Sequence, residues 1–254
     1  MKIPVFSECD HAVVKALANR SDYELVQRFQ RSPTDGKYFT ALFCRYSSVV
    51  YSLIRHSARS PVQADYLFAL TWRHILNELG GIDLTAVQAQ QPDSPPTSDP
   101  DSDPDSELST PALSVESFSL QAWLISLTAA YINQAVLPEV ESIHYTLEDA
   151  PPPLWCYTNR ALDMIAPKHR LMLLMSQTFE WSETRIAAYL QAEGEQSSAQ
   201  TVRMELKGAC QALEQAIPAD IRTIYLNCAL IAAPAVEVSN GRMTIEFDEV
   251  DLPV

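Results

Sequence analysis

From position 161 to 217 the chain reads ALDMIAPKHRLMLLMSQTFEWSETRIAAYLQAEGEQSSAQTVRMELKGACQALEQAI. Leu171, Leu174, Ile186, Leu190, Val202, Leu206 and Leu213 recur there at steps that line one side of successive helices. Ser182 stands where an N-cap belongs, and the polar run 191–197 separates two amphipathic pieces. The spacing predicts a long helix, a short helix, a polar turn and a second amphipathic helix, which is the layout of a helix-turn-helix.

The N-terminal third has the same periodicity. Leu25 and Phe29, then Phe39, Leu42, Phe43, Tyr46, Val50 and Leu53, follow three- and four-residue steps, with Ser21-Asp22 as an N-cap and Pro33 and Gly36 at the join. Ser60-Pro61 opens another helix that Gly80-Gly81 stops, and a further helix is expected over 119–135. Between them the segment 85–116, rich in Pro, Ser and Asp, is too polar to fold by itself and reads as a disordered acidic insertion.

Charge is distributed unevenly. Residues 1–73 carry ten Lys/Arg against six Asp/Glu, whereas 74–159 carry thirteen acids and no Lys or Arg, so most of the net −14 sits in that third. The helix-turn-helix stretch comes to −1 over 160–217, and 218–254 to −4. Proteins that hold DNA concentrate positive charge where phosphates approach, and here only the first module does so clearly. The five cysteines are scattered with no C-x-x-C pair, which argues against a disulfide framework and against a zinc site. No apolar run is long enough to span a membrane, and a cytoplasmic location is expected. There is no phosphate loop, no G-x-G-x-x-G and no G-x-S-x-G, so neither catalysis nor a cofactor or metal is expected.

Four further segments carry a resemblance: Asp22-Tyr23-Glu24-Leu25-Val26, Phe39-Thr40-Ala41-Leu42-Phe43-Cys44-Arg45-Tyr46, Ala64-Asp65-Tyr66-Leu67 and Phe118-Ser119-Leu120-Gln121-Ala122-Trp123-Leu124. In this order, followed by Ile165-Ala166-Pro167-Lys168-His169-Arg170, then Ser182-Glu183-Thr184-Arg185-Ile186-Ala187, then Thr201-Val202-Arg203-Met204-Glu205-Leu206-Lys207, the chain resembles the sigma-70 family of bacterial RNA polymerase sigma factors. The likeness is to the small two-domain extracytoplasmic-function type. The resemblance implies an all-α fold of two small helical domains. These are a sigma region 2-like bundle over 1–136 and a region 4-like helix-turn-helix over 156–217, joined by an acidic linker over 137–155. An extension over 218–254 follows, in which Val236-Glu237-Val238, Ser239-Asn240-Gly241 and Met243–Phe247 predict a β-hairpin over 236–247.

The same resemblance implies core RNA polymerase and promoter DNA as partners, together with a regulatory protein of the anti-sigma kind. Gln200, Thr201, Arg203, Lys207 and Arg185, with Trp123 in the first domain, are the expected DNA contacts, an Arg or Lys suiting guanine and a Gln adenine. Asp65, Tyr66 and Leu67 are the expected polymerase contacts, although the following positions, where the family places a Gln-Glu pair, hold Phe68-Ala69. The turn's acids, Glu193 and Glu195, are expected to face phosphate and weaken binding. Two readings stay open for the insertion, a nucleic-acid mimic or a tolerated loop that aids solubility. Two also stay open for the whole chain: a transcription initiation factor, or a sigma-derived protein that binds a protein partner without initiating.

Overall fold

The computed structural model describes residues 4–84 and 119–226. Local sequence sets most helix starts. Ser21 and Glu24 form a reciprocal capping box, the Ser21 Oγ accepting from the Glu24 N–H at 3.2 Å and the Glu24 carboxylate from the Ser21 N–H at 3.1 Å. This opens α2 (Asp22–Arg31), which follows the short α1 (Ala12–Lys15). The 22-residue α3 (Gly36–Ser57) comes next. Ser60 then caps α4 (Pro61–Glu78) by accepting from the Gln63 N–H at 3.1 Å, with Pro61 in the first turn, and a 3-10 turn at Leu79–Gly81 ends it. Ser119 caps α5 (Leu120–Gln134) in the same way.

α3 is the central post, with α2, α4 and α5 packed against it. Its core is aromatic: Trp72 lies 5.0 Å from Phe43 and 5.7 Å from Phe39, ring centre to ring centre, and Phe43 lies 6.0 Å from Phe68. Phe29, Phe39, Phe43, Phe68 and Trp72 are all buried. Each such side chain contributes roughly 1.5–3 kcal/mol on leaving water.

After α5 the chain runs along the outside of this bundle. Over 143–147 it alternates, with Ile143, Tyr145 and Leu147 buried and His144 and Thr146 exposed, because an extended backbone points successive side chains to opposite sides. The Tyr145 ring meets Tyr66 and Trp155 at 6.2 and 5.8 Å, its hydroxyl donates to the Ala150 carbonyl at 2.6 Å, and Gln63 reaches the Pro138 carbonyl at 3.2 Å. Glu139, Glu141, Glu148 and Asp149 stay exposed. The stretch expected as an acidic linker is therefore a strap laid on the first core, acids outward.

Pro152 and Pro153 open α6 (Pro152–Met164), which belongs to two cores at once. Leu154, Trp155, Cys156 and Tyr157 join the first core, while Leu162 and the following Ile165 pack with Leu173 and Ala209. The expected domain boundary at 156 falls inside this helix. α7 (Pro167–Gln177), α8 (Glu183–Ala192) and α9 (Ala199–Ala216) follow. The chain then returns to the first core: α10 (Ala219–Ile221) and a π-helical turn (Arg222–Leu226) bury Ile221 and Ile224 there. Asp220 accepts from the Lys37 N–H at 2.8 Å, and Ile221 sits over Gly36, where a side chain would not fit.

Against the expectation that the scattered cysteines build no disulfide framework, one disulfide is present among the described residues. Cys9, in a 3-10 turn (Ser7–Asp10), is bonded to Cys44 on α3, with 5.4 Å between their Cα atoms. The pair is 35 residues apart in sequence, so only the packing of the N-terminal turn on α3 brings it together. The insertion 85–116 and the hairpin 236–247 lie outside the described residues. Among the described residues there is no strand, and no helix is long and apolar enough to cross a membrane.

Candidate nucleic-acid interface

The α7–α8–α9 unit is held by Met172, Met175, Ile186, Ala187, Leu190 and Val202, with Trp181 and Leu206 at its edge. Two serine caps set its corners. Ser182 accepts from the Arg185 N–H at 3.3 Å to start α8, and Ser198 accepts from the Thr201 N–H at 3.1 Å to start α9. Between them Gly194, at φ +90°, occupies the left-handed region and lets the chain reverse, while the Gln191 amide donates to the Ser197 carbonyl across the turn. Val202 and Leu206 face inward, so Gln200, Thr201, Arg203, Met204 and Lys207 line the exposed side of α9.

The electrostatics of that side are partly neutralised from within. The Arg203 Nε is 3.3 Å from a Glu183 carboxylate oxygen at the start of α8. Lys168 bridges Glu195, at 2.7 Å, and Glu205, at 3.1 Å, and the hydrogen bonds it donates, first to Glu195 and then to Glu205, raise its pKa above the ordinary lysine value. Glu195, expected to face phosphate, pairs with Lys168, and both Glu193 and Glu195 are exposed. Arg185 lies over the Trp181 ring at 4.1 Å, and Trp181 touches Phe179 at 6.2 Å and Tyr189 at 5.9 Å. Arg185 was an expected DNA contact but its seat on Trp181 was not expected, and the spacing of four between the two residues is the usable signal. Glu180, between the two rings, has φ 55°, which turns the chain sharply there.

The structure brings Gln200, Thr201, Arg203 and Lys207 onto one helix, with Arg185 on its neighbour α8. Trp123 is elsewhere: it lies half-buried on α5 against the first core. The expected polymerase contacts are not a surface. Tyr66 and Leu67 are buried, at 9% and 2% exposure, and Phe68 and Ala69 after them are wholly buried. Asp65 alone opens outward, into a cleft of about 600 Å³ lined by Pro4, Val5, Phe6, Tyr51, Thr146, Leu147 and Glu148. The Tyr51 hydroxyl donates to Asp65 at 2.8 Å, and burial holds the Asp65 carboxyl above its ordinary range. The basic first module also pairs much of its charge internally: Lys15 with Asp10, Arg20 with Glu24, Lys37 with Asp35 and Arg45 with Asp22.

Among the described residues no cluster of His, Cys, Asp or Glu suits a metal ion. No protein-family profile matches the chain, no curated protein is detectably similar to it, and no solved structure matches its fold.

Proposed function

We propose that this chain is a sigma-like transcription initiation factor that binds core RNA polymerase and reads promoter DNA through α9. The observation that supports this most is the α8–α9 corner, where two capped helices meet around Val202 and Leu206 and turn Gln200, Arg203 and Lys207 outward on one helix. A helix so placed enters a major groove with its first turns toward the bases. Its reading is weak on its own, because Glu183 engages Arg203, so polymerase tethering supplies the rest of the affinity.

Runoff transcription with core polymerase tests the whole reading, and a pool of promoter fragments tests the contact. Arg203→Ala and Lys207→Ala each weaken binding and lower the dependence of log K on log salt by roughly 0.9 for a lost phosphate contact. Failure to retain core polymerase, together with no salt-dependent binding to any promoter, overturns the proposal.

A second reading is favoured by one observation: Tyr66 and Leu67 are buried, and the strap at 143–147 covers the α4 face that would meet polymerase. In that reading the chain regulates transcription by binding a protein partner and does not initiate.

A further inference from the structure

The N-terminal segment, residues 4–20, lies across α3 as a cover, with Val13 and Leu17 packed against the core. Phe6 enters the aromatic core, 4.7 Å from Phe43 and 6.0 Å from Phe68, and Val14 is buried. Arg45 reaches back to the carbonyls of Ala18 and Arg20. Against these stands a buried carboxylate: Glu8 is 5% exposed, its pKa is raised by burial, and the Tyr225 hydroxyl that donates to it at 3.3 Å is its one side-chain hydrogen-bond donor among the described contacts. The covalent bond from Cys9 to Cys44 secures the cover where its own contacts are most conflicted.

Two things depend on this cover. Pro4, Val5 and Phe6 form one wall of the cleft into which Asp65 opens. Glu8 also holds Tyr225 in the π-helical turn that follows Ile221, so the N-terminal cover and the C-terminal return of the chain share a hydrogen bond. Cys9 and Cys44 are both half-buried, unlike Cys156, which is 1% exposed and whose thiol burial pushes up to about 12. The bridged pair therefore lies nearer the surface than the core thiol.

We propose that Cys9–Cys44 is a thiol–disulfide exchange site, at which dithiol reductants release residues 4–20 from α3, open the Asp65 cleft and loosen the turn at Tyr225. A thiolate of the dithiol attacks one sulfur, the Cys9–Cys44 bond breaks and a mixed disulfide forms. The reductant's second thiol then displaces the protein sulfur, leaving two protein thiols and an oxidised reductant, with two electrons and two protons transferred. Taken with the proposed role at DNA, on which this one point rests, the chain works where protein disulfides are characteristically transient and redox-sensing.

Alkylation of the native protein with N-ethylmaleimide and hydrogen exchange, each before and after dithiothreitol, test the site. Before reduction Cys9 and Cys44 resist alkylation; after it both are modified, while Cys156 stays protected. Amides in 6–18 and 221–225 then exchange at least about thirtyfold faster, the factor matching the lower end of what a disulfide contributes, while α8 and α9 keep their rates. Labelling of Cys9 and Cys44 without reductant, or reduction with no change in exchange, overturns the proposal. Cys9→Ser/Cys44→Ser reproduces the reduced pattern with or without dithiothreitol; should that variant fail to fold, wild type reduced in place decides. Neither readout involves polymerase or DNA, so loss of the proposed function leaves this inference standing, and the reverse also holds.

Discussion

Replacing Gly36 tests whether the Ala219–Ile221 turn is clamped to α3. Gly36 is the first residue of that helix and has ordinary helical freedom, so alanine fits the backbone and gains up to about 1 kcal/mol of helix propensity. Its methyl would land well inside van der Waals contact of Ile221 Cγ1 and Cδ1 and 3.0 Å from Tyr157 Cε2. Ile221 is fully buried, and overpacking at such a point costs about 1–3 kcal/mol. Gly36→Ala is therefore expected to destabilise despite the better helix former. Ile221→Ala alone costs about 2–5 kcal/mol, from lost burial and the cavity left behind. It also deletes both clashing carbons, so Gly36→Ala added to it should be neutral or stabilising. The two changes then couple by about 1–3 kcal/mol, the sign being relief. Urea titrations followed by far-UV circular dichroism on the wild type, both single variants and the double variant measure this. If Gly36→Ala costs the same in both backgrounds, Ile221 does not sit over Gly36.

Glu8 gives a pH prediction. Burial raises its folded-state pKa, so the native state holds the proton more tightly, and stability is greatest below the ordinary glutamate range and is lost as pH rises through the raised value. Glu8→Gln keeps an acceptor for the Tyr225 hydroxyl without the charge; it should flatten that decline and be at least as stable as wild type at neutral pH, and an unchanged profile in thermal melts would refute the assignment. At the DNA face, Glu183→Gln removes the carboxylate 3.3 Å from Arg203 and should tighten promoter binding at low salt with a steeper salt dependence, an advantage that fades at high salt. Unchanged fluorescence-anisotropy titrations at low salt would mean that Arg203 does not approach phosphate.

Helix existence was legible from local chemistry. Ser21, Ser60 and Ser182 announce their helices, Pro61 and Pro167 occupy first turns, and the three-to-four spacing of Phe39, Leu42, Phe43 and Tyr46 identifies the buried face of α3. The exposed set Gln200, Arg203 and Lys207 follows from the same periodicity, because Val202 and Leu206 must point inward. The strap at 143–147 was harder to see. Its charge density reads as solvated, and the alternation of Ile143, Tyr145 and Leu147 acquires meaning only with a core beside it.

Sequence by itself determined the helical character of the described chain, most of its serine-capped helix starts and which side of each helix is apolar, since caps, prolines and periodicity act within a few residues; the break before Pro167 and the helix starting at Pro152 were not read from it. Tertiary structure alone decided what those faces meet. It assigned α6 to two cores, brought Ile221 onto Gly36, turned Glu195 to Lys168 and Glu183 to Arg203, buried Tyr66 and Leu67, and joined Cys9 to Cys44. Such pairings join residues that can be more than 180 positions apart, as with the Lys37 N–H and Asp220. They are set by how whole helices pack, and no local pattern encodes them.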